Sequence, residues 1–395
     1  MKEKVFCTFI LLLCLSSCKV QTEDYDSIVE MIPVNLKKSQ SFPIEEIIDR
    51  IEIIPLETND DCIVHMYKKL IYIKELEMFY FFDSKYNVYL FSKEGKFISN
   101  SEHVIGQGPQ QVLMVVDFLY NPFSKCMEFL DLWGTIFRYD TSFKFIEKIK
   151  LDQKKLTFHR FEPLSANKYL LAYFPSFLSE CVLHFCDFED KKVEKSVFYI
   201  KHFIGGPVMQ NHFFIRFNDD FLFTPLGFDY HFYQIDANSM TLTPVIKLDF
   251  GSDEITRKQI ESMTGFSYRE ESKKSQWTKK TDMIEISDAL IKSSLHIPIV
   301  KLINDKYVYL HILSDHKRSN YIYNRITKKG YYQAANDSFK IYFGLQMEDN
   351  VLITMPQPYE IEEYIDKKLM SQEDIQKFDN IKEDDNPVIV KYYFK

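Results

Sequence analysis

Glycine is scarce in this chain, at 11 of 395 residues, and tryptophan is scarcer, at two. So few glycines exclude a collagen-like or glycine-rich low-complexity chain. Basic residues are outnumbered: 49 Lys and Arg face 57 Asp and Glu, for a formal net charge of −8. Without a basic cluster to neutralise phosphates, the composition argues against nucleic acid as a partner. Beyond Leu15 no apolar run reaches the roughly 18 residues that a membrane-spanning helix needs. Signatures of catalysis are missing too, with no Gly-x-Ser-x-Gly and no His-Glu-x-x-His. Cysteine is sparse, and Cys62, Cys126, Cys181 and Cys186 show no spacing of a disulfide framework. Cys181 and Cys186 are an odd number apart on a predicted strand, so they face opposite ways. All four are expected as small, buried, apolar residues.

What is abundant is aromatic: 35 Phe and 25 Tyr. With so little glycine, that favours strands over disorder. The N-terminus is equally informative. Lys2 and Lys4 precede an apolar run from Val5 to Leu15, followed by Leu15-Ser16-Ser17-Cys18. A basic start, a short apolar core and small residues describe a secretory signal. Small residues just before a cysteine resemble a bacterial lipobox. That resemblance implies lipid on the Cys18 thiol and removal of residues 1–17. The other reading is an ordinary signal peptide or uncleaved anchor, with Cys18 incidental. Residues 18–45 are polar and mixed in charge, and read as a tether. Glu23 and Asp24, soon after the lipid site, loosely resemble the surface-export signals of Bacteroidetes lipoproteins.

The remainder repeats itself. Phe81-Phe82-Asp83 overlies Phe129-Leu130-Asp131 at a shift of 48, and Lys96-Phe97-Ile98 overlies Lys144-Phe145-Ile146 without a gap. Val182 to Asp187 matches Thr135 to Asp140 at a shift of 47, and Tyr230 to Asp236 continues the series. Periods of roughly 40 to 50 residues with four short strands each are the signature of a β-propeller. The expected fold is all-β: one six-bladed propeller over residues 46–395, with small helical insertions at 251–296 and 356–386. Blades one to five fall at about 67–98, 112–149, 158–197, 213–248 and 297–332. Blade six has strands at 339–345, 351–355 and 387–394 and lacks a fourth. The strand Ile47 to Leu56 is predicted to supply it and close the ring, removing exposed sheet edges.

Several segments resemble a family of six-bladed propeller lipoproteins from Bacteroidetes, distantly similar to NHL repeats. These are Ile54-Pro55-Leu56-Glu57-Thr58, Gly95-Lys96-Phe97-Ile98, Ile105-Gly106-Gln107-Gly108-Pro109 and Asp385-Asn386-Pro387-Val388-Ile389-Val390. The resemblance spans essentially the whole mature chain and implies the fold; it says almost nothing of function. Where that family commonly continues with Gly-Glu-Tyr-like residues after Gly-x-Gly-Pro, this chain has Gln110-Gln111-Val112.

Other motifs have structural explanations. Gly106-Gln107-Gly108-Pro109 lacks the third glycine and following helix of a dinucleotide fingerprint, and reads as an inter-blade turn; Gly205-Gly206-Pro207 reads the same way. His311 and His316 have metal-like spacing beside Asp315 but no further ligands, so no metal site is assigned. Asp60-Asp61, Asp219-Asp220 and Asp384-Asp385 fit hairpin tips or caps. Ser371 with Asp374 resembles a capping box ahead of Ile375 and Phe378. A second amphipathic stretch carries Ile361 and Ile365, and both are expected to pack on the host.

Two function classes follow. The first is a lipid-anchored binding module of the cell envelope, for a glycan, peptide or partner protein. The second is a propeller hydrolase or lyase with its site in the central channel. With no catalytic residue and no cofactor assigned, the binding module is preferred. Polar residues converging on the channel from three or more blades would favour the enzyme, and a plug of Phe, Tyr and Leu the module. In a propeller, the turns between second and third strands share one face with the links between blades. The order of strands places both insertions on that face. Trp133, Trp277, His316 and Arg318 are therefore the candidate ligand contacts, although packing between blades is the expectation for Trp133.

Overall fold

In the computed structural model the described residues are 28–36, 40–65, 67–152, 156–173, 181–200, 213–225, 229–256, 291–334 and 340–395, with isolated positions 259, 262 and 337. Before the blades come β1 (Glu30–Pro33), β2 (Gln40–Ser41), a single helical turn α1 (Ile44–Ile47) and β3 (Ile48–Pro55). Blade one is β4 to β7: Tyr67–Ile73, Met78–Asp83, Val88–Ser92 and Phe97–Asn100. Blade two is β8 to β11: Val115–Asn121, Cys126–Asp131, Thr135–Tyr139 and Phe145–Lys150. Blade three is β12 to β15: Arg160–Pro163, Lys168–Tyr173, Cys181–Asp187 and Lys192–Ile200. Blade four is β16 to β19: Phe214–Phe217, Asp220–Phe223, His231–Asp236 and Thr241–Asp249. Blade five is β20 to β23: Ile297–Ile303, Tyr307–Ser314, Lys317–Asn324 and Lys329–Gln333. Blade six is β24 (Gln346–Glu348), β25 (Val351–Thr354) and β26 (Val388–Phe394), completed by β3. Six antiparallel sheets of this kind make a six-bladed propeller.

The repeat is legible because of where its strands sit. The two middle strands of a blade are covered on both faces by neighbouring blades, so they need apolar residues at every position. Met78–Asp83 and Val88–Ser92 are buried almost throughout. The outermost strand of blade two, Phe-Ile-Glu-Lys-Ile-Lys, is largely exposed and charged. The 48-residue shift is also one of register: Phe81 faces Tyr89 as Phe129 faces Phe137.

The ring closes as expected. Val388 pairs with Pro55, and the antiparallel ladder runs on through Tyr392 and Ile51. The first strand of blade six is Gln346–Glu348, and residues 340–345 lead into it without strand pairing.

Three of the four segments of the family resemblance meet at this junction, while residues 105–109 lie in the link between blades one and two. The buried Asn386 side chain donates to Glu57 O and Cys62 O, each at 2.7 Å, and accepts from Val64 N at 2.9 Å. Asn386 N donates to Thr58 Oγ1 at 2.8 Å, and the Glu57 carboxylate accepts from Phe97 N at 3.1 Å. Gly95, at φ +82°, lies so close to the closing strand that a Cβ there would sit 2.3 Å from Pro55 O. These motifs serve closure of the ring, which explains why they speak to fold and not to function.

The expected tether needs correcting. β1 adds a fifth strand to blade four, parallel to β19, with Glu30 beside Ile246. β2 does the same on blade five, with Gln40 beside Tyr331. Ile32 and Val34 are buried, and Arg325 of blade five clasps Glu30, Nη2 to Oε2 at 2.5 Å. A polar composition hid this role, because an outer strand needs only one residue in two to face inward. The segment covers the outer edges of two blades that would otherwise offer unpaired backbone groups.

Both insertions leave from the same face, since 250–296 links blade four to blade five and 355–387 joins the second and third strands of blade six. The second insertion holds a 3-10 turn (Pro358–Tyr364) and helix α2 (Gln372–Asp379), N-capped by Ser371, whose Oγ accepts from Asp374 N at 3.0 Å. Ile361, Ile365, Ile375 and Phe378 pack against the core around Ile48 and Ile51. The helices therefore seat on the host, against the outer strand of blade six. Of the first insertion, residues 251–256 and 291–296 are described together with 259 and 262. Cys62, Cys126 and Cys186 are buried free thiols; the Cys181 side chain lies outside the described residues, as does Gly205-Gly206-Pro207.

Candidate functional site

The first strands of blades two and three, five and six, and six and one touch one another around the central channel. They carry charge where a core strand would not. Lys69 is the third residue of its strand in blade one, and Asp117 the third in blade two. The two stand at the same repeat position, 48 apart, with opposite signs. Lys69 Nζ donates to Asp117 Oδ1 at 2.8 Å and to Phe118 O at 2.7 Å. Asp117 Oδ2 accepts from Phe161 N of blade three at 3.3 Å. Burial lowers the Lys69 ammonium pKa, opposed by the Asp117 charge. Glu162 of blade three then meets Arg216 of blade four, Oε1 to Nε at 3.1 Å. Burial raises the Glu162 pKa, and Arg216 opposes it.

Polar contacts continue around the ring. Asn218 donates to Asp305 at 2.6 Å between blades four and five. Asn304 donates to Asp349 O between blades five and six. Gln346 exchanges two hydrogen bonds with the Tyr72 backbone, at 2.8 and 3.2 Å, between blades six and one. Buried Lys301, its pKa lowered to about 8 by burial, donates to Pro225 O and Asp229 O and so fixes a turn of blade four. Charged groups from blades one to four therefore converge on the channel, and the two carboxylates among them, Asp117 and Glu162, are each engaged by a cation.

Each innermost strand runs from the face with the inter-blade links toward the opposite face. Lys69, Asp117, Arg160, Glu162 and Arg216 fall within the first three residues of their strands. They therefore ring the channel mouth on the link-bearing face. That face also carries six of the exposed large apolar side chains among the described residues: Ile63, Tyr86, Leu113, Met114, Trp133 and Tyr359. The opposite face has two, Phe123 and Ile326. Leu113 and Met114 immediately precede the innermost strand of blade two. Tyr86 and Trp133 sit on the turns of blades one and two, so five of the six belong to one side of the mouth.

Trp133 corrects the expectation of packing between blades. It is 47% exposed, because its turn is built by Asp131, whose Oδ1 accepts from Trp133 N and Thr135 N at 2.9 and 2.7 Å. The backbone, not the indole, anchors the turn. His316 and Arg318 are exposed on the equivalent turn of blade five. Asp315 N and His316 N donate to Ser293 O and Ile291 O at the end of the first insertion, at 2.8 and 3.1 Å. Blades two and five are opposite in a ring of six, so Trp133 is not brought together with His316 and Arg318. Trp277 and Cys18 lie outside the described residues.

His311 points into the core, with Nδ1 2.7 Å from Asn320 Oδ1 and its pKa lowered to about 4 by burial. His316 is on the surface turn, so the pair does not converge. Among the described residues no three His, Cys, Asp or Glu side chains could share a metal ion. The Gly106–Pro109 stretch is an inter-blade turn, in which Gln111 Oε1 accepts from Gly108 N at 2.9 Å. The charged pair Lys69–Asp117 and the apolar patch escaped sequence reading. The signal for the first was available: opposite charges at one repeat position of otherwise apolar strands.

Comparison with known proteins supports the fold. A Bacteroides fragilis protein described as a "Putative exported protein" superposes with a TM-score of 0.65 at 13% identity, covering 92% of this chain and 99% of that one. The WD40 domain of Neurospora crassa Pan2 gives a TM-score of 0.38 at 9% identity, over 81% of this chain and 82% of that domain, an overlap too low to bear on anything further. No curated protein matches the chain. A family model described as "Domain of unknown function (DUF4934)" matches residues 28–393, from the first outer strand to the last strand of blade six, and the chain belongs to that family.

Proposed function

We propose that this protein is an exported, lipid-anchored binding module that takes a glycan on the link-bearing face, at the channel mouth beside blades one and two. The observation that carries this reading is the concentration of exposed apolar side chains there, Tyr86 and Trp133 among them. Such groups in one patch rimmed by polar residues mark binding surfaces, and flat aromatic rings suit the apolar faces of sugars. His316 and Arg318 lie on this face across the ring from Trp133, and are further candidates only for a ligand that spans the mouth; Trp277, the other candidate from the sequence, lies outside the described residues. Peptide and protein ligands are the other outcomes of the same test. In a glycan and peptide screen, Trp133→Ala is expected to weaken the best ligand at least tenfold, about 1.4 kcal/mol or more. Phe123→Ala, on the opposite face, is expected to leave binding unchanged. The reverse result would refute the site.

The charged groups from four blades at the mouth favour a second reading, a hydrolase or lyase in the channel. The same screen followed over time separates the two. Product formation that disappears in Glu162→Gln would establish the enzyme; stable complexes without turnover would establish the module.

The anchor is Cys18. Its support is the lipobox-like N-terminus, and the similarity to an exported Bacteroides protein agrees with a place in the cell envelope, on the outer membrane. Because the chain is paired with blade four at Val29, whose N donates to Val245 O at 2.8 Å, the tether comprises residues 19–27 at most. Such a length spans at most about 30 Å, so the propeller would ride close to the membrane. Cys18→Ala is expected to abolish lipid labelling and leave the protein unprocessed or released. Labelling equal to wild type would end the proposal.

A further inference from the structure

Among the described residues, Arg160 is the one cation at the start of an innermost strand without a carboxylate. It opens the innermost strand of blade three, and its side chain faces blade four, with the guanidinium carbon 5.3 Å from the Phe213 ring centroid. Its Nη1 donates to His159 O at 2.7 Å and, at 3.4 Å, to Val116 O of blade two. Nε is buried and meets no acceptor. Among the described residues Arg160 makes no ion pair. The neighbouring carboxylates are spoken for: Asp117 by Lys69 and Phe161 N, Glu162 by Arg216. An N–H left without an acceptor is costly inside a protein. A guanidinium whose Nη1 is pinned by backbone carbonyls keeps its Nε–Nη2 edge free of acceptors; an anion engages Nη2 first and reaches the buried Nε only by displacing what covers it.

We infer that Arg160 is the anchor for a carboxylate on the ligand. This rests on the reading that ligands approach this face. Counted over the described residues, three cations and two carboxylates at the starts of these strands leave one positive charge in excess, which a monoanion neutralises. A dianionic phosphate would leave the mouth negative beside Asp117 and Glu162, so the planar monoanion is the better match in charge and in shape. The ligand class is thus an acidic saccharide, its apolar ring faces against the aromatic patch and its carboxylate over Arg160.

The test uses the purified full chain and three probes: uronate-containing oligosaccharides, their neutral methyl esters, and inorganic phosphate or sulfate. The Arg160 Nε–H resonance, assigned by its loss in Arg160→Lys, is followed in each titration. The uronates are expected to shift it, and the esters to bind roughly tenfold to hundredfold more weakly. Arg160→Lys should lose a similar factor for uronates and little for esters, with a melting temperature like wild type. Arg160→Gln provides a second variant if the lysine fails to fold. Trp133→Ala should weaken acid and ester alike. If no saccharide binds but simple carboxylates such as acetate shift the Arg160 resonance saturably, the glycan reading fails and the anion site stands. Equal affinity for acid and ester, an unmoved Arg160 resonance, or tighter binding of phosphate or sulfate than of carboxylates overturns the inference.

Discussion

A chain beginning at Thr58 is expected to lose cooperative unfolding and to aggregate. The deletion removes β3, which carries Ile48, Ile51, Ile53 and Ile54, all buried between blade six and its neighbours. At roughly 1.5–3 kcal/mol for each buried side chain, those four alone represent about 6–12 kcal/mol. That matches the whole stability of a typical domain, about 5–15 kcal/mol. The deletion also strips the added strands from blades four and five and leaves Val388–Phe394 as an open edge. Asn386 loses Glu57 O and Thr58 is left at a free terminus, so the junction with blade one opens as well. Size-exclusion chromatography and a thermal melt would decide the matter. A monomeric fragment with a single sharp transition would show that the ring does not depend on its N-terminal strand.

Glu128→Ala should be the most damaging point substitution in the body of the propeller. Glu128 is fully buried between blades two and three. It accepts from Arg138 Nε at 2.9 Å, from Tyr169 Oη at 2.8 Å and from Asn121 Nδ2 at 3.1 Å. Burial raises its pKa, while Tyr169 and Arg138 oppose the rise by favouring the charged form. Alanine leaves the buried Arg138 with only the exposed Glu147 as a counter-charge. Removing one partner of a buried pair costs about 3–5 kcal/mol, and Glu147 puts the expected loss near the lower end. A urea titration measures it. The double variant Glu128→Leu with Arg138→Met should recover most of the loss, since apolar replacements of similar volume are often neutral. A single-variant loss below about 1 kcal/mol would mean that the network contributes no more than a surface ion pair.

Both expectations draw on features of different visibility. Closure was legible: an unassigned strand at one end and a three-stranded blade at the other admit one arrangement that leaves no edge. The Glu128 network was not. Glu128 and Arg138 stand ten apart on adjacent strands, but Tyr169 reaches them from the next blade, and no local pattern announces a contact across 41 residues. The added strands of blades four and five were hidden for a related reason. Parallel addition at an outer edge demands little of a sequence, and in residues 30–36 the buried Ile32 and Val34 mark it.

The candidate site divides in the same way. Strand order alone put both insertions, the turn of Trp133 and the turn of His316 on one face. It could not say that Trp133 is exposed, because a turn anchored by an aspartate and a turn anchored by its tryptophan look alike in sequence. Nor could it single out Arg160 from 49 basic residues. The spacing and aromatic content of its strands, which are local properties repeated along the chain, determined by themselves that this protein is a closed six-bladed ring. Tertiary structure alone decided which charges at the channel are already satisfied and which one is left over. That balance is set by pairs drawn from different blades, whose side chains meet only when the ring is complete.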